Sequence, residues 1–345
     1  MSKGPLLGLL IGFLTFGQSA IAQHAALHIT PLKSGVTVSL RGIAVRNSQV
    51  AWATGSDGTV IRTTDAGRNW QRIHIPDADE LDFRDVELLA SQTVLLMSVG
   101  NGNASRIFRS HDNGKTWKTV LVNLDPKGFF DGLTFDSAGK NGVLFGDPID
   151  GRMDLYRSGD AGATWQRVAA GQCPILQKGE YGFAASGTGV VMSGKNIWIA
   201  TGGTVARVHH SADDGKTWIA HVTPIRSGNE SSGIFSIAIA DSKTAVVVGG
   251  DYLRPKLDQN NVARSLDGGK TWITLPAAGM PHKACVQSLG GNKFVTCGRT
   301  GVAFSNDNGK TWTSLTTDSY YTLAVDRRTG TGFLAGAGGH IARFE

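Results

Sequence analysis

Glutamate is scarce in this chain, five residues among 345, and there are only three cysteines. So few glutamates leave no set of carboxylates with a bidentate Glu, which argues against calcium cages. Three cysteines cannot make a disulfide-dense scaffold. None lies in a Cys-x-x-Cys pair or a haem-type Cys pair followed by His, and no Gly-x-Gly-x-x-Gly follows a strand to open a helix. Redox and dinucleotide chemistry therefore have no visible carrier, and we expect neither a cofactor nor a metal. Long apolar runs are also missing beyond Leu6 to Phe16, which is too short to span a bilayer. Forty-six glycines, eight tryptophans and short apolar runs separated by turns argue against extended helices.

What the chain has is repetition. A pattern of Ser or Thr, a variable residue, Asp, a variable residue, Gly, two more residues and Trp begins at Thr63, Ser110, Ser158, Ser211, Ser265 and Ser305. Its aspartates are Asp65, Asp112, Asp160, Asp213, Asp267 and Asp307, separated by 47, 48, 53, 54 and 40 residues, the period of a four-stranded propeller blade. Its tryptophans are Trp70, Trp117, Trp165, Trp218, Trp272 and Trp312. The pattern resembles the Asp box of sialidases and related secreted propellers. A short carboxylate accepts backbone N–H groups of its own turn, Gly supplies positive φ and Trp buries an apolar ring, so the box reads as a hairpin clasp and not as a catalytic group.

Before each box lie an apolar run, a glycine turn and a second run, as in Ile197–Gly203 followed by Val205–His210. The phrase occurs a seventh time without a box, at Gly332–Gly336 and His340–Phe344. That last unit has three strands, near 320–325, 332–336 and 340–344. His28–Leu32 can supply the fourth, because it precedes Val38–Val45, the innermost strand of the first blade. Closure of this kind hides two sheet edges. The expected fold is all-β: a seven-bladed β-propeller with Asp-box turns, its last blade closed by the N-terminal strand, forming a single domain over residues 23–345.

Residues 1–22 read as a cleaved signal peptide: Lys3, the apolar stretch, then Ala20-Ile21-Ala22 before Gln23, with no cysteine there to carry a lipid. The expectation is a protein in the periplasm or outside the cell, and no nucleic-acid partner. Cys285 and Cys297 lie six residues either side of Gly291, in runs that read as adjacent strands, so they can face each other; a disulfide and a pair of free thiols are both compatible with this. Cys173 reads as a partly buried small residue. The net charge is +6, with scattered basic residues. Lys115, Lys216, Lys270 and Lys310 belong to boxes and form a spaced rim, for which solvated turn lysines are the plainer account.

Partner sites are expected on the face opposite the boxes. There the long second-to-third-strand loops Gly146–Asp154 and Gly250–Asp258 bring Asp147, Asp251, Tyr252 and Arg254, and Gly171–Tyr181 and Thr223–Gly233 are long connections. The mouth of the central channel adds Arg41, Arg84, Asp85, Asp131, Ser186, Ser236, His282, Tyr320 and Tyr321. These suit a polar ligand or a protein loop, and equally a hydrated plug of salt bridges.

Val94–Gly100 leading to Ser105–Ser110, Phe145-Gly146-Asp147-Pro148, Phe183–Thr188 and Gly249-Gly250-Asp251-Tyr252 resemble secreted bacterial propellers grouped with the photosystem II stability and assembly factor. The resemblance covers essentially the whole mature chain. It implies a monomeric, non-enzymatic scaffold that binds a protein partner or polar ligand, or assists assembly at a membrane complex. The competing class is a sialidase-like glycoside hydrolase. Arg41, Arg84 and Arg299 would then converge on a sugar carboxylate, Glu180-Tyr181 or Glu230 would supply the nucleophile, and Asp85 and Asp131 would be acids. The Arg-Ile-Pro phrase expected of that family is missing; Ile73-His74-Ile75-Pro76 is the nearest string.

Overall fold

The computed structural model describes Met1, Gly4 and residues 27–89, 92–274 and 280–345, so the signal-peptide expectation lies outside the described residues. Seven sheets account for the strands. Blade 1 comprises Leu40–Val45, Ala51–Gly55, Val60–Thr63 and Gln71–Arg72; blade 2, Asp82–Leu88, Val94–Val99, Arg106–Ser110 and Lys118–Val122. Blade 3 comprises Phe130–Phe135, Gly142–Ile149, Arg152–Ser158 and Gln166–Arg167; blade 4, Val190–Ser193, Asn196–Ala200, Arg207–Ser211 and Ile219–Val222. Blade 5 comprises Ser232–Ile239, Ala245–Asp251, Val262–Ser265 and Ile273–Thr274, widened at its inner edge by the pairs Gly202–Gly203 and Glu180–Tyr181. Blade 6 comprises Cys285–Gly290, Lys293–Gly298, Gly301–Ser305 and Thr313–Thr316. Blade 7 takes Thr322–Asp326, Thr331–Ala335 and His340–Phe344 from one end of the chain and Ile29–Lys33 from the other. The last two strands pair antiparallel, with Ile29 opposite Phe344 and Lys33 opposite His340. Innermost strands touch in ring order from blade 1 to blade 7 and back to blade 1. The chain is thus a closed seven-bladed propeller, and its helix content among the described residues is three short 3₁₀ turns.

The middles of the second strands are mostly apolar because each is covered on both faces by neighbouring blades. Val94–Val99 and Ala245–Asp251 are wholly buried, whereas the outermost Lys118–Val122 is exposed or half-buried. The core is divided accordingly into seven clusters, one per interface. Trp52, Phe83 and Phe108 lie between blades 1 and 2, Ile237, Val247 and Trp198 between blades 4 and 5, and Phe333, Ile341 and Leu40 between blades 7 and 1. Each blade therefore depends on two neighbours for its burial, which makes the ring one cooperative unit.

The Asp box of blade 2 shows how the clasp works. Ser110 Oγ accepts the N–H groups of Gly114 at 2.8 Å and Asp112 at 3.3 Å, and donates to Asp112 Oδ1 at 2.8 Å. That carboxylate also accepts Thr116 N–H at 2.9 Å and Thr116 Oγ1 at 2.6 Å. These donors hold the Asp112 carboxyl well below its ordinary range. The same clasp recurs at Asp213, where hydrogen bonds from Thr217 and Ser211 bring the carboxyl down to about 2. Two successive residues take positive φ, Asn113 (60°) and Gly114 (85°), so the turn demands more than its glycine. The box tryptophans are less buried than expected. Only Trp272 is fully buried; the other five are half-buried, edging the blades, while the fully buried Trp52 lies outside any box.

Cys285 and Cys297 are opposed in register on adjacent strands of blade 6, where both are buried and carry free thiols. Cys173 is also free and buried, its thiol pushed up by burial and by Asp154. Gly146–Asp154 is not a long loop either. The strands run on to Ile149 and Arg152, which pair across a tight Asp150-Gly151 turn with positive φ at both residues.

Candidate functional site

The innermost strands of four blades carry a register shift near their first residues. Leu40 pairs with Gly55 and Gly42 with Thr54, leaving Arg41 in a bulge. The same shift frees Arg84 in blade 2, Asp131 in blade 3 and Phe235 in blade 5. A bulge inserts one unpaired residue and re-aims its side chain. Arg41, Arg84 and Asp131 accordingly leave the sheets and line one depression of about 470 Å³ at the channel mouth, with Asp147, Tyr252 and Tyr321 beside them. Its wall also includes Arg299, Tyr181, Glu230 and His282, along with Phe129 and Phe183. Because second strands end on this side and third strands end on the other, the depression lies opposite the Asp boxes.

Its floor is a loop. Residues 182–189 precede the short inner strand of blade 4 and cross the channel instead of extending the sheet. Arg84 of blade 2 donates Nη1 to Ala184 O at 2.9 Å, Ser186 Oγ donates to Ala284 O at 3.0 Å, and Thr322 Oγ1 of blade 7 donates to Ser186 O at 3.3 Å. Thr188 Oγ1 meets Ser236 Oγ of blade 5 at 2.6 Å. Beneath the loop, Asp85 accepts N–H from Val86 at 2.8 Å and Leu133 at 2.9 Å. Burial pushes its carboxyl up to about 7 despite these donors. Gly187, at φ 73°, lies so close that a Cβ there would come within 2.4 Å of Asp85 Oδ1. Asp85 and Ser186 are therefore parts of a plug, not of the mouth. Ser236 belongs with them, and Tyr320 is packed in the core between blades 6 and 7.

The blade 5 loop residues also divide. Asp251 is 1% exposed and accepts Ser231 Oγ at 2.7 Å, Leu253 N–H at 3.0 Å and Arg254 Nε at 2.8 Å. It fastens the loop that presents Tyr252, and Arg254 is its partner. Glu180 is fully buried. It accepts Thr201 Oγ1 at 2.6 Å, Gln177 N–H at 2.8 Å, Arg207 Nε at 3.0 Å and His209 Nε2 at 2.9 Å, donors that overcome burial and bring its carboxyl down to about 2. A carboxylate locked in this way cannot attack a substrate.

Electrostatically the mouth is cationic on one side. Arg41 stacks over Tyr321, its Cζ 4.1 Å from the ring centroid, and burial followed by nearby Arg84 holds its guanidinium below the ordinary value. Arg84 is paired with Asp82 at 2.8 Å, whereas neither Arg41 nor Arg299 has an ion pair among the described residues. Asp131 and Asp147 face them, close enough to share a proton. Burial pushes the Asp147 carboxyl up to about 6, and burial followed by the charge of Asp147 pushes Asp131 well above its ordinary value. His282 packs edge-on to Phe235 with centroids 4.7 Å apart and is pulled down to about 4 by burial, Lys283 and Arg299. A second depression, of about 510 Å³, lies on the flank of blade 3 over the buried Asp154, which accepts Arg167 Nε at 2.6 Å.

Ring, clasps and plugged mouth together define an Asp-box seven-bladed β-propeller. A model of the BNR/Asp-box repeat matches residues 108–119, the box of blade 2. Among individual proteins, the chain is similar to the photosystem II assembly lipoprotein Ycf48 of Synechococcus sp. (strain CC9902), 23% identical over 238 residues, 66% of this chain and 59% of that protein. It is also similar to a xyloglucanase of Paenibacillus sp., 28% identical over 219 residues, 52% of this chain and 20% of that enzyme. The chain thus matches less than two thirds of the length of either relative. Among solved structures, YCF48 bound to a D1 peptide superposes with a TM-score of 0.62 at 16% identity, covering 92% of this chain and 94% of that one. The GH74 xyloglucanase from Xanthomonas campestris superposes with a TM-score of 0.62 at 16% identity, covering 92% of this chain and 53% of that one. At such identity the shared property is the fold.

Proposed function

We propose that the chain is an exported, monomeric, non-enzymatic scaffold whose plugged mouth holds an extended segment of a protein partner, in the manner of an assembly factor for a membrane complex. The observation that carries this reading is the convergence of Arg41, Arg84 and Arg299, from three blades, on one aromatic-lined depression. Guanidinium groups bind carboxylates with geometric specificity, and aromatic walls supply apolar contact. A segment with an acidic side chain or a free C-terminus fits that chemistry. The structure of YCF48 bound to a D1 peptide supports a peptide ligand for a propeller of this kind.

The xyloglucanase similarity favours a second reading, hydrolysis of a polysaccharide. Ordinary glycosidases hold two carboxylates about 5–9 Å apart across the bond they break. Asp131 and Asp147 lie within hydrogen-bonding reach of each other and lack that gap.

Fluorescence anisotropy with peptides ending in a free carboxylate tests the proposal. Amidating the terminus, or Arg299→Ala, should weaken binding roughly tenfold or more, the value of a hydrogen bond to a charged group. Affinity indifferent to both changes refutes the reading, and release of reducing sugar from xyloglucan would replace it with the second.

A further inference from the structure

We infer that Asp131 and Asp147 form a seat for a basic side chain of the bound segment, so that the recognised sequence is dipolar: a carboxylate against the arginines and a lysine or arginine a short way along the chain. The inference rests on the peptide reading above and adds the second half of the ligand.

Three observations carry it. Asp131 is 2% exposed, lines the depression and accepts no N–H from the protein among the described residues, and its Oδ2 is without a hydrogen-bond donor. Asp85, Glu180 and Asp251 are satisfied on both oxygens by N–H, hydroxyl or guanidinium groups, and Asp154 accepts Arg167 Nε on Oδ1 although its Oδ2 is also without a partner; among these buried carboxyls only Asp131 accepts no such donor from the described residues. Buried polar groups without partners are rare, and apart from a proton held between Asp131 and Asp147 the oxygens of the pair can only accept.

Second, the neighbouring cation is already committed. Arg84 spends Nε and Nη2 on Asp82 and Nη1 on Ala184 O. The donor nearest the pair is the N–H of Gly182, 3.3 Å from Asp147 Oδ1. Gly182 also provides room, since a Cβ there would come within 2.3 Å of Asp131 Oδ2. Third, His282 lines the same depression, is 2% exposed and leaves both ring nitrogens without partners. The wall therefore offers unpaired polar atoms on two sides.

A divalent ion is a poor occupant, because no group of three or more His, Cys, Asp or Glu suited to a metal occurs among the described residues. An ammonium or guanidinium group brings three to five donors and one positive charge to a pair that retains one negative charge. The groups facing the pair are Arg84 from blade 2, Tyr181 from the inner edge of blade 5 and Glu230 from the connection before it. Arg41, Arg299, His282, Tyr252 and Tyr321 lie around the rest of the depression. Seating a cation favours the doubly ionised pair, so the shared proton is released, and affinity rises with pH through the range near 6 where Asp147 ionises.

The test uses labelled peptides with a free C-terminus and one lysine at successive positions before it, each compared with its Lys→Gln analogue at fixed salt. One lysine position should bind the parent protein roughly tenfold more tightly than its analogue. Asp147→Asn should bring the two within about twofold of each other. Calorimetry in buffers of different ionisation enthalpy should show a proton released by the lysine peptide and none by the analogue. Asp147→Asn should melt no lower than the parent, since a buried pair of like groups is relieved; Asp131→Asn serves as the second variant if it does not. Equal affinity for lysine and glutamine peptides at every position overturns the inference and leaves the peptide reading standing. Failure of all the peptides to bind overturns both.

Discussion

Replacing Glu180 by Gln removes one charge from the inner edge of blade 5 and almost no volume. In the parent, the carboxylate neutralises Arg207, whose side chain is 12% exposed, and orders His209 and Thr201. The variant leaves a buried guanidinium without its counter-charge. Breaking a buried pair by removing one partner costs about 3–5 kcal/mol. For a domain of this size, about 2 °C is lost per kcal/mol, so the midpoint should fall by roughly 6–10 °C. The pH dependence has a definite sign. Glu180 titrates at about 2 in the folded protein against 4.5 for the free side chain, so its contribution is fully present above pH 4.5 and is lost as pH falls through about 2. Urea unfolding of parent and variant at neutral pH, pH 5 and pH 3 should show the gap narrowing only at the lowest value. Replacing Arg207 by Met in the same chain should recover part of the loss. A variant that melts within a degree of the parent at neutral pH refutes the account, and unchanged stability with lost function would return Glu180 to the list of reactive groups.

Asp251→Ala should lower stability by about 1–3 kcal/mol, because Ser231 and the N–H of Leu253 lose a buried acceptor; chemical denaturation checks this, and a neutral result would mark the loop as independent of the ring. The three thiols should resist alkylation in the native protein and all react after denaturation under non-reducing conditions, as mass spectrometry can read; two fewer alkylated sites would reveal a Cys285–Cys297 bridge.

Periodicity made the blades legible. Spacing of the boxes, the boxless seventh phrase at Gly332–Phe344 and the stray strand near Ile29 were enough to count and close the ring, because burial on both faces forces every blade into the same pattern. The mouth was legible by residue type but not by depth. Arg41, Arg84 and Asp131 sit one or two residues into inner strands, and no propensity marks the bulges that turn them outward. Ser186 and Asp85 were misplaced for a different reason. The Phe183–Thr188 segment leaves its sheet to cross the channel, a long-range choice set by acceptors and donors in blades 2, 5, 6 and 7. Asp251 looks like any loop acid until Ser231, twenty positions earlier, is seen to bind it. Arg299 and Glu230 emerged only through the glycosidase comparison, and His282 as a mouth residue with no hint of its unpaired nitrogens.

The seam in blade 7 carries a consequence for the order of the chain. Ile29–Lys33 and His340–Phe344 are joined by backbone hydrogen bonds and by no peptide link, so the start of the polypeptide is arbitrary with respect to the finished solid. A circularly permuted gene that splices Glu345 to His28 and opens the chain between Asp150 and Gly151 should therefore build the same object. It would move the hydrogen-bonded seam to blade 3 and bind the old breakpoint covalently.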